Sequence, residues 1–321
     1  MQNNKLLDVK NLKKYFKIKG KGYLHAVDDI SFEIYKGETL GLVGESGCGK
    51  TTVGNLLLRL LPETGGSVFL DDIDILNAPN SLNREICRKI QMIFQDPYSS
   101  LNPKKKVKEI LAEPFLVQKI VKGQKAVDNK IVELCEMVNI QKELLTKFPF
   151  ELDGGKRQTV CIARALAFRS DLIVCDEPVS SLDVSIQAQI INMLMDLQEK
   201  LNMSYLFITH DLSVVRHISN RIIVMYLGKI MEESPTEDLF ERPLHPYTKA
   251  LLSAIPSIDT EKSMDRIILE GDVPSPINPP QGCRFYKRCS KAQPICLEKE
   301  PQLRDTAFPG HRVACHFAKI D

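Results

Sequence analysis

Gly44-Glu45-Ser46-Gly47-Cys48-Gly49-Lys50-Thr51 stands between two stretches of different character. Before it, Thr39-Leu40-Gly41-Leu42-Val43 is a short apolar run that reads as a buried strand. After it, Thr51 to Leu61 is leucine-rich and reads as a helix. The spacing G-x-x-x-x-G-K-[ST] in that setting is a phosphate-binding P-loop. A strand feeding a glycine-rich turn that opens a helix aims backbone N–H groups and the positive helix end at one point. The glycines let the backbone approach phosphates closely, in conformations a side chain would obstruct. Lys50 is placed to reach the β- and γ-phosphates and the Thr51 hydroxyl to ligate Mg²⁺, with Thr52 completing the set. The loop implies a nucleoside triphosphate and says nothing of what the energy drives.

Outward from the loop, 321 residues suggest roughly two domains. Apolar residues make up 43%, which supplies a sizeable core of the soluble globular kind. The net charge of +2 gives no global field that would attract nucleic acid. Lysine clusters at Lys13 to Lys21 and Lys104 to Lys106 read as solvated loops. Met1 to Lys10 is polar and mixed, unlike a signal peptide, and no apolar stretch approaches the ~20 residues that span a bilayer. A cytoplasmic protein follows, with any membrane role supplied by partners. Of nine cysteines, Cys48, Cys87, Cys135, Cys161 and Cys175 are scattered and read as reduced thiols.

Leu6 to Ile18 and Ala26 to Ile34 read as strands, as do Val68-Phe69-Leu70 and Ile90 to Phe94. Asp96 to Pro103 reads as a loop, and Val107 to about Leu145 has a helical pattern. Arg157 to Phe168 and Gln187 to Leu201 read as helices; Leu172 to Cys175, Tyr205 to Ile208 and Arg221 to Tyr226 read as strands. Such alternation predicts an α/β fold with a mainly parallel sheet. After about Ser234 proline becomes frequent and helical periodicity fades. The expected organisation is a cassette over residues 1–234, with a helical subdomain at about 96–158, and a separate region over 235–321.

Parallel strands bring their C-terminal ends to one edge, where ligands bind. Leu172-Ile173-Val174-Cys175 ends in Asp176-Glu177. Asp176 sits where a Walker-B carboxylate holds Mg²⁺, and Glu177 is placed to act as general base on the attacking water. Gln95 and His210 each end another apolar strand and are candidates for the γ-phosphate region, Gln95 also for Mg²⁺.

Six motifs in order resemble ABC ATPases over at least Leu6 to Ser234. They are the P-loop, Gln95, Gly154-Gly155-Lys156-Arg157-Gln158, Cys175-Asp176-Glu177-Pro178, Ser180-Ser181-Leu182-Asp183 and Thr209-His210-Asp211. The resemblance implies a P-loop NTPase core in which two cassettes sandwich two ATP molecules, each between one subunit's P-loop and the other's signature. It also implies an aromatic stacked on adenine, for which Tyr15 and Phe16 are candidates and Phe16 is preferred. Asp96-Pro97-Tyr98-Ser99-Ser100-Leu101-Asn102-Pro103, the Glu45-Ser46-Gly47-Cys48 run and His245-Pro246-Tyr247-Thr248-Lys249-Ala250-Leu251-Leu252 look like the oligopeptide/dipeptide importer subgroup, which includes nickel importers. That implies a peripheral ATPase on the cytoplasmic face of the membrane. It would work with two permease subunits and, indirectly, an extracytoplasmic solute-binding protein. A soluble ABC ATPase acting away from the membrane is the alternative, against which the single cassette and the absence of sustained heptads both count.

Two features remain. Cys283, Cys289, Cys296 and Cys315 lie in a proline-rich, core-poor segment, and four thiolates suit Zn²⁺ or an iron–sulfur cluster. The C-x₂-C knuckle of zinc ribbons is missing. The importer subgroup carries a similar set as a [4Fe–4S] site, which makes that cluster the expectation, with His316 a lesser candidate ligand. The other feature is the signature. The family's usual Leu-Ser-Gly-Gly-Gln is here Leu152-Asp153-Gly154-Gly155-Lys156. A carboxylate in the place of the serine hydroxyl has no donor to offer a γ-phosphate and repels it. Unequal sites, and therefore a heterodimer, are expected.

Overall fold

The computed structural model describes residues 5–255, 266–272 and 274–318. In chain order, β1 (Lys5–Ile18) and β2 (Gly22–Tyr35) precede β3 (Thr39–Val43), the P-loop and α1 (Lys50–Leu57). There follow β4 (Gly65–Leu70), β5 (Ile73–Asp74), α2 (Asn83–Lys89), β6 (Ile90–Ile93), α3 (Pro97–Ser100), α4 (Val107–Val117) and α5 (Gln124–Met137). Then come α6 (Gly154–Ala165), β7 (Leu172–Asp176), α7 (Val184–Leu201), β8 (Ser204–Thr209), α8 (Leu212–Ile218), β9 (Arg221–Tyr226) and β10 (Lys229–Pro235). The chain ends with α9 (Thr236–Glu241), α10 (Pro246–Ser253), α11 (Pro294–Glu298), β11 (Arg304–Asp305) and β12 (Arg312–Val313). Among the described residues no helix is long and apolar enough to cross a membrane.

The chain forms two compact units. One comprises residues 5–6, 35–38 and 77–208. Within it β6, β7 and β8 are parallel, with Ile93 opposite Cys175 and Asp176 opposite Ile208. Every residue of β7 and β8 is buried. Strands buried on both faces read as continuous apolar runs, which is why these were legible. The helical pattern over residues 107–145 resolves into two helices rather than one. Lys119, with φ 52°, and Gly123, with φ 86°, take left-handed backbone between them, which a helix cannot continue through.

The other unit comprises the described parts of residues 7–34, 39–76 and 209–321. Here β3 pairs in parallel with β9, and β10, β12 and β11 extend β9 antiparallel. A second sheet, β2-β1-β4-β5, is antiparallel at β1–β4 and β4–β5. The strands are thus mixed rather than mainly parallel. Alternation of strand and helix identifies parallel pairs, but it does not report sheets built from strands joined by short turns. Among the described residues, the region after Ser234 also keeps three α-helices, α9, α10 and α11, of six, eight and five residues. These are too short to show a period. Tyr226, Tyr247, Phe285, Cys283 and Cys296 join one buried cluster with Val43 and Val224, so the C-terminal segment packs into the core behind the P-loop strand.

Candidate active site

The P-loop leaves β3 through Gly44, whose φ is 156°; a Cβ there would lie 2.1 Å from the Met225 carbonyl oxygen. At Gly49, φ 111°, a Cβ would lie 2.0 Å from the Ala26 carbonyl oxygen. Only glycine fits either place. Lys50 is buried, and its Nζ donates to Gly44 O at 2.7 Å and Glu45 O at 3.1 Å. The ammonium is therefore held inside the loop, where a phosphate oxygen could exchange for a carbonyl. Burial raises the Cys48 thiol, against the pull of the Lys50 charge, so Cys48 stays a neutral wall of the loop. Ser46, Gly47 and Thr51 are exposed or half-exposed, and Thr52 is half-buried. Glu45 is held by two residues that sequence reasoning missed. Its N–H donates to Tyr247 Oη at 2.9 Å, and its carboxylate meets Arg288 Nη1 at 2.7 Å. Nothing local signals either partner, since they lie 202 and 243 residues away.

In the other unit the strand register does the positioning. Ile93 lies opposite Cys175, and two residues further along each parallel strand come Gln95 and Glu177. Gln95 Nε2 donates to Glu177 Oε2 at 2.9 Å. The amide oxygen of Gln95 is then the atom left to face a cation. Asp176 is buried at the end of β7, and Glu177 takes a left-handed φ of 45° as the chain leaves the sheet. A non-glycine residue there is uncommon, and its backbone N–H is tied to Ile208 O at 2.9 Å. His210 is exposed one residue beyond β8, ahead of Asp211, which caps α8 by accepting from Ser213 N and Val214 N.

The signature stretch opens α6. Leu152 is buried, and Asp153 is the helix N-cap: its Oδ1 accepts from Lys156 N at 2.8 Å. Its second oxygen pairs with Lys156 Nζ at 2.8 Å. The Lys156 hydrogen bonds hold the Asp153 carboxyl below the ordinary aspartate range. A Cβ on Gly155 would sit 2.8 Å from Ile186 Cγ2, so Gly155 permits α6 to lie close to α7. Asp183 caps α7 in the same way, accepting from Ile186 N at 3.0 Å. The segment after Gln95 is fastened to the signature helix, since Arg164 Nη1 donates to Ser100 O at 2.6 Å. Arg157 lies over the Tyr98 ring at 5.1 Å.

Of the two aromatic candidates, Tyr15 is committed elsewhere. Its ring stacks on His25 at 4.0 Å and its hydroxyl donates to Asp28 at 2.5 Å. Burial, reinforced by that bond, pushes the Tyr15 hydroxyl up. Phe16 is half-exposed, with Lys14 Nζ 4.9 Å from its centroid.

Cys283, Cys289, Cys296 and Cys315 line one cavity of about 20 Å³, together with His245, Phe285 and His316. Cys283 N donates to Cys296 O at 2.7 Å. Burial pushes the Cys283 thiol up to about 11, and the other three cysteines push it the same way. His316 Nε2 is engaged with Lys299 O at 2.9 Å. Among the described residues no three His, Cys, Asp or Glu side chains converge as a single metal ion would require.

Comparison with known proteins adds to this geometry. The family described as ABC transporter matches residues 27–180, and the one described as oligopeptide/dipeptide transporter, C-terminal region, matches residues 231–296. The oligopeptide transport ATP-binding protein AppF of Bacillus subtilis is 48% identical over 320 residues, 97% of each chain. The dipeptide transport ATP-binding protein DppF of Haemophilus influenzae is 43% identical, covering 98% of this chain and 97% of its own. Among solved structures, the ATP-binding cassette MJ0796, a dimer in a post-hydrolysis state bound to ADP and Pi, superposes with a TM-score of 0.66 at 28% identity. The match covers 72% of this chain and 99% of that one.

Proposed function

The chain belongs to the ATP-binding subunits of oligopeptide and dipeptide ABC transporters, and on that premise we propose that it hydrolyses ATP to power import of di- and oligopeptides. The observation that carries the chemistry is the Gln95–Glu177 pair at the ends of neighbouring parallel strands. A carboxylate oriented by an amide is a general base whose lone pair is aimed. In this reading the loop residues Gly44 to Thr52 bind the phosphates and Lys50 moves from its carbonyls onto them. Glu177 takes a proton from the attacking water, and His210 hydrogen-bonds the γ-phosphate. Phe16 stacks on adenine, because Tyr15 is already held by Asp28 and His25. Thr51, Asp176 and Gln95 carry hydroxyl, carboxylate and amide oxygens, hard donors of the kind Mg²⁺ takes, and are the residues proposed to hold it; Mg²⁺ would supply neutralisation of β- and γ-phosphate charge.

Membership in this family implies dimerisation and permease partners. We place the subunit on the cytoplasmic face of the membrane, with two permease subunits and a second ATPase subunit that is not a copy of itself, for the reason given by Asp153. Relatives named for oligopeptides and dipeptides favour peptides over nickel as cargo. The four C-terminal cysteines line a common cavity, and four thiolates are a ligand set that a [4Fe–4S] cluster takes, with Zn²⁺ the alternative. Cys283, Cys289, Cys296 and Cys315 would hold such a cluster, which would order a segment poor in apolar residues. The test of the central reading is peptide-stimulated phosphate release in the reconstituted transporter. Loss of turnover in Glu177→Gln, with ATP binding retained, supports it; wild-type turnover refutes it.

A further inference from the structure

Glu45 is the only acidic residue of the P-loop, and all three of its polar groups are engaged. Its carbonyl receives Lys50 Nζ, its N–H donates to Tyr247 Oη, and its carboxylate pairs with Arg288 Nη1. The last two partners come from the C-terminal region. Tyr247 is fully buried, 4.8 Å from Tyr226 and 5.3 Å from Phe285. Phe285 lies two residues after Cys283, and Arg288 immediately precedes Cys289. The Arg288 side chain is only 8% exposed, and that of Glu45 24%, so the pair is shielded rather than splayed into solvent. The loop thus has two tethers to the cysteine-bearing segment, one through a hydroxyl and one through a guanidinium.

We infer that Arg288 and Tyr247 are positioning residues for the P-loop. Through them, order in the Cys283–Cys289 segment and nucleotide affinity are coupled. The inference rests on the reading that this loop binds ATP. The physical reason is charge. A carboxylate inside a phosphate-binding loop opposes a triphosphate unless it is neutralised. Arg288 neutralises Glu45 and fixes its direction, while Tyr247 holds the Glu45 amide, which would otherwise be a loose donor in the loop backbone. Arg288 does not touch the reacting atoms; it acts through Glu45. Coupling of this kind is reciprocal, so ATP must tighten the segment as much as the segment tightens ATP binding.

The test is equilibrium titration of the full chain with a fluorescent ATP analogue, together with hydrogen exchange over residues 283–298. Arg288→Ala is expected to weaken binding by roughly tenfold to a hundredfold, the range for losing a hydrogen bond to a charged group. Adding Glu45→Gln to Arg288→Ala should recover most of that loss, because the uncompensated charge is gone. Arg288→Lys should lie between wild type and Arg288→Ala, and it covers the case in which the alanine variant folds poorly. Nucleotide should slow exchange over 283–298 in wild type and not in Arg288→Ala. Binding by Arg288→Ala within twofold of wild type, or a deficit that Glu45→Gln leaves untouched, overturns the inference. Lys50→Ala separates the levels. If wild type and Lys50→Ala bind equally, the reading of the loop itself fails; if only the Arg288 variants are silent, the coupling alone fails.

Discussion

Replacing Asp153 by Ser should allow this chain to form an ATP-dependent homodimer that the native residue opposes. Asp153 caps α6 and carries a full negative charge, held in place by Lys156 N and Lys156 Nζ at 2.8 Å each. Serine is as good an N-cap as aspartate, so Asp153→Ser should change stability by no more than about 0.5 kcal/mol. The charge is another matter. Two unit charges ~4 Å apart at an effective dielectric of ~20 repel by about 4 kcal/mol. Lys156 cancels part of that, but the pair is an exposed one, 52% and 59% accessible, and such pairs are worth about 0–1 kcal/mol. A net repulsion of about 3–4 kcal/mol per site remains, and a homodimer contains two such sites, about 6–8 kcal/mol in all. ATP-bound self-association of Asp153→Ser should therefore be roughly 10⁴-fold to 10⁶-fold tighter than that of the native residue. The assay is sedimentation velocity with ATP·Mg²⁺ in a Glu177→Gln background, where turnover does not consume the ligand. Equal dimerisation of Glu177→Gln with and without Asp153→Ser would show that the carboxylate turns away from the phosphate. The argument for a heterodimer would go with it.

Three further outcomes are expected. In the assembled transporter Glu177→Gln should cut turnover ~10²–10⁴-fold while ATP still binds, read as phosphate release against nucleotide titration. Anaerobically purified protein should show an oxygen-sensitive brown chromophore that Cys296→Ser removes, and metal analysis returning stoichiometric zinc without iron would refute the cluster. The protein should lose stability as pH falls from about 6.5 toward 4. Burial holds His245 neutral, lowering it to about 4 against the attraction of Glu232, and its Nδ1 accepts from Tyr247 N at 3.0 Å. The unfolded chain then binds the proton that the folded one refuses, so acid favours unfolding in that window, by up to about 3 kcal/mol. His245→Asn keeps an N-cap acceptor and should flatten the melting temperature between pH 7 and 5; an unchanged slope would assign the acid sensitivity elsewhere.

What could be read in the chain follows from distance along it. The P-loop and the Asp176–Glu177 strand end are local, each decided by fewer than ten consecutive residues, and each stands at the end of the strand its pattern indicated. That Asp153 caps α6 was not read from the sequence, where it stood only for a missing hydroxyl. The Gln95–Glu177 contact joins residues 82 apart, yet it was accessible because parallel strands share an edge. The antiparallel β2-β1-β4-β5 sheet was not, because its strands were recognised without any signal of which pairs with which. Phe16 was preferred over Tyr15 from the sequence, but the engagement of Tyr15 by His25 and Asp28 is visible only in three dimensions. Arg288 and Tyr247 carried no signal at all, since their role exists only once the C-terminal segment packs behind β3.

The two carboxylates that this chain sets in phosphate-facing motifs differ in how they are neutralised, and the difference assigns them different work. Glu45 has a counter-ion from 243 residues away that is almost wholly buried, so its charge is cancelled whenever the fold is intact. Asp153 has a counter-ion three residues away on the same helix turn, and that lysine is half in water. A long, exposed lysine reorients freely, and its attraction fades as salt is added. The Glu45 pair is therefore a fixed part of the loop, and the cost of breaking it appears in ATP binding by a single chain. The Asp153 pair leaves a charge that another subunit's nucleotide would meet on closure, so its cost appears only in assembly. On the proposed function, the P-loop of this chain would bind in its own right, and its signature would be the side that calls for a different partner.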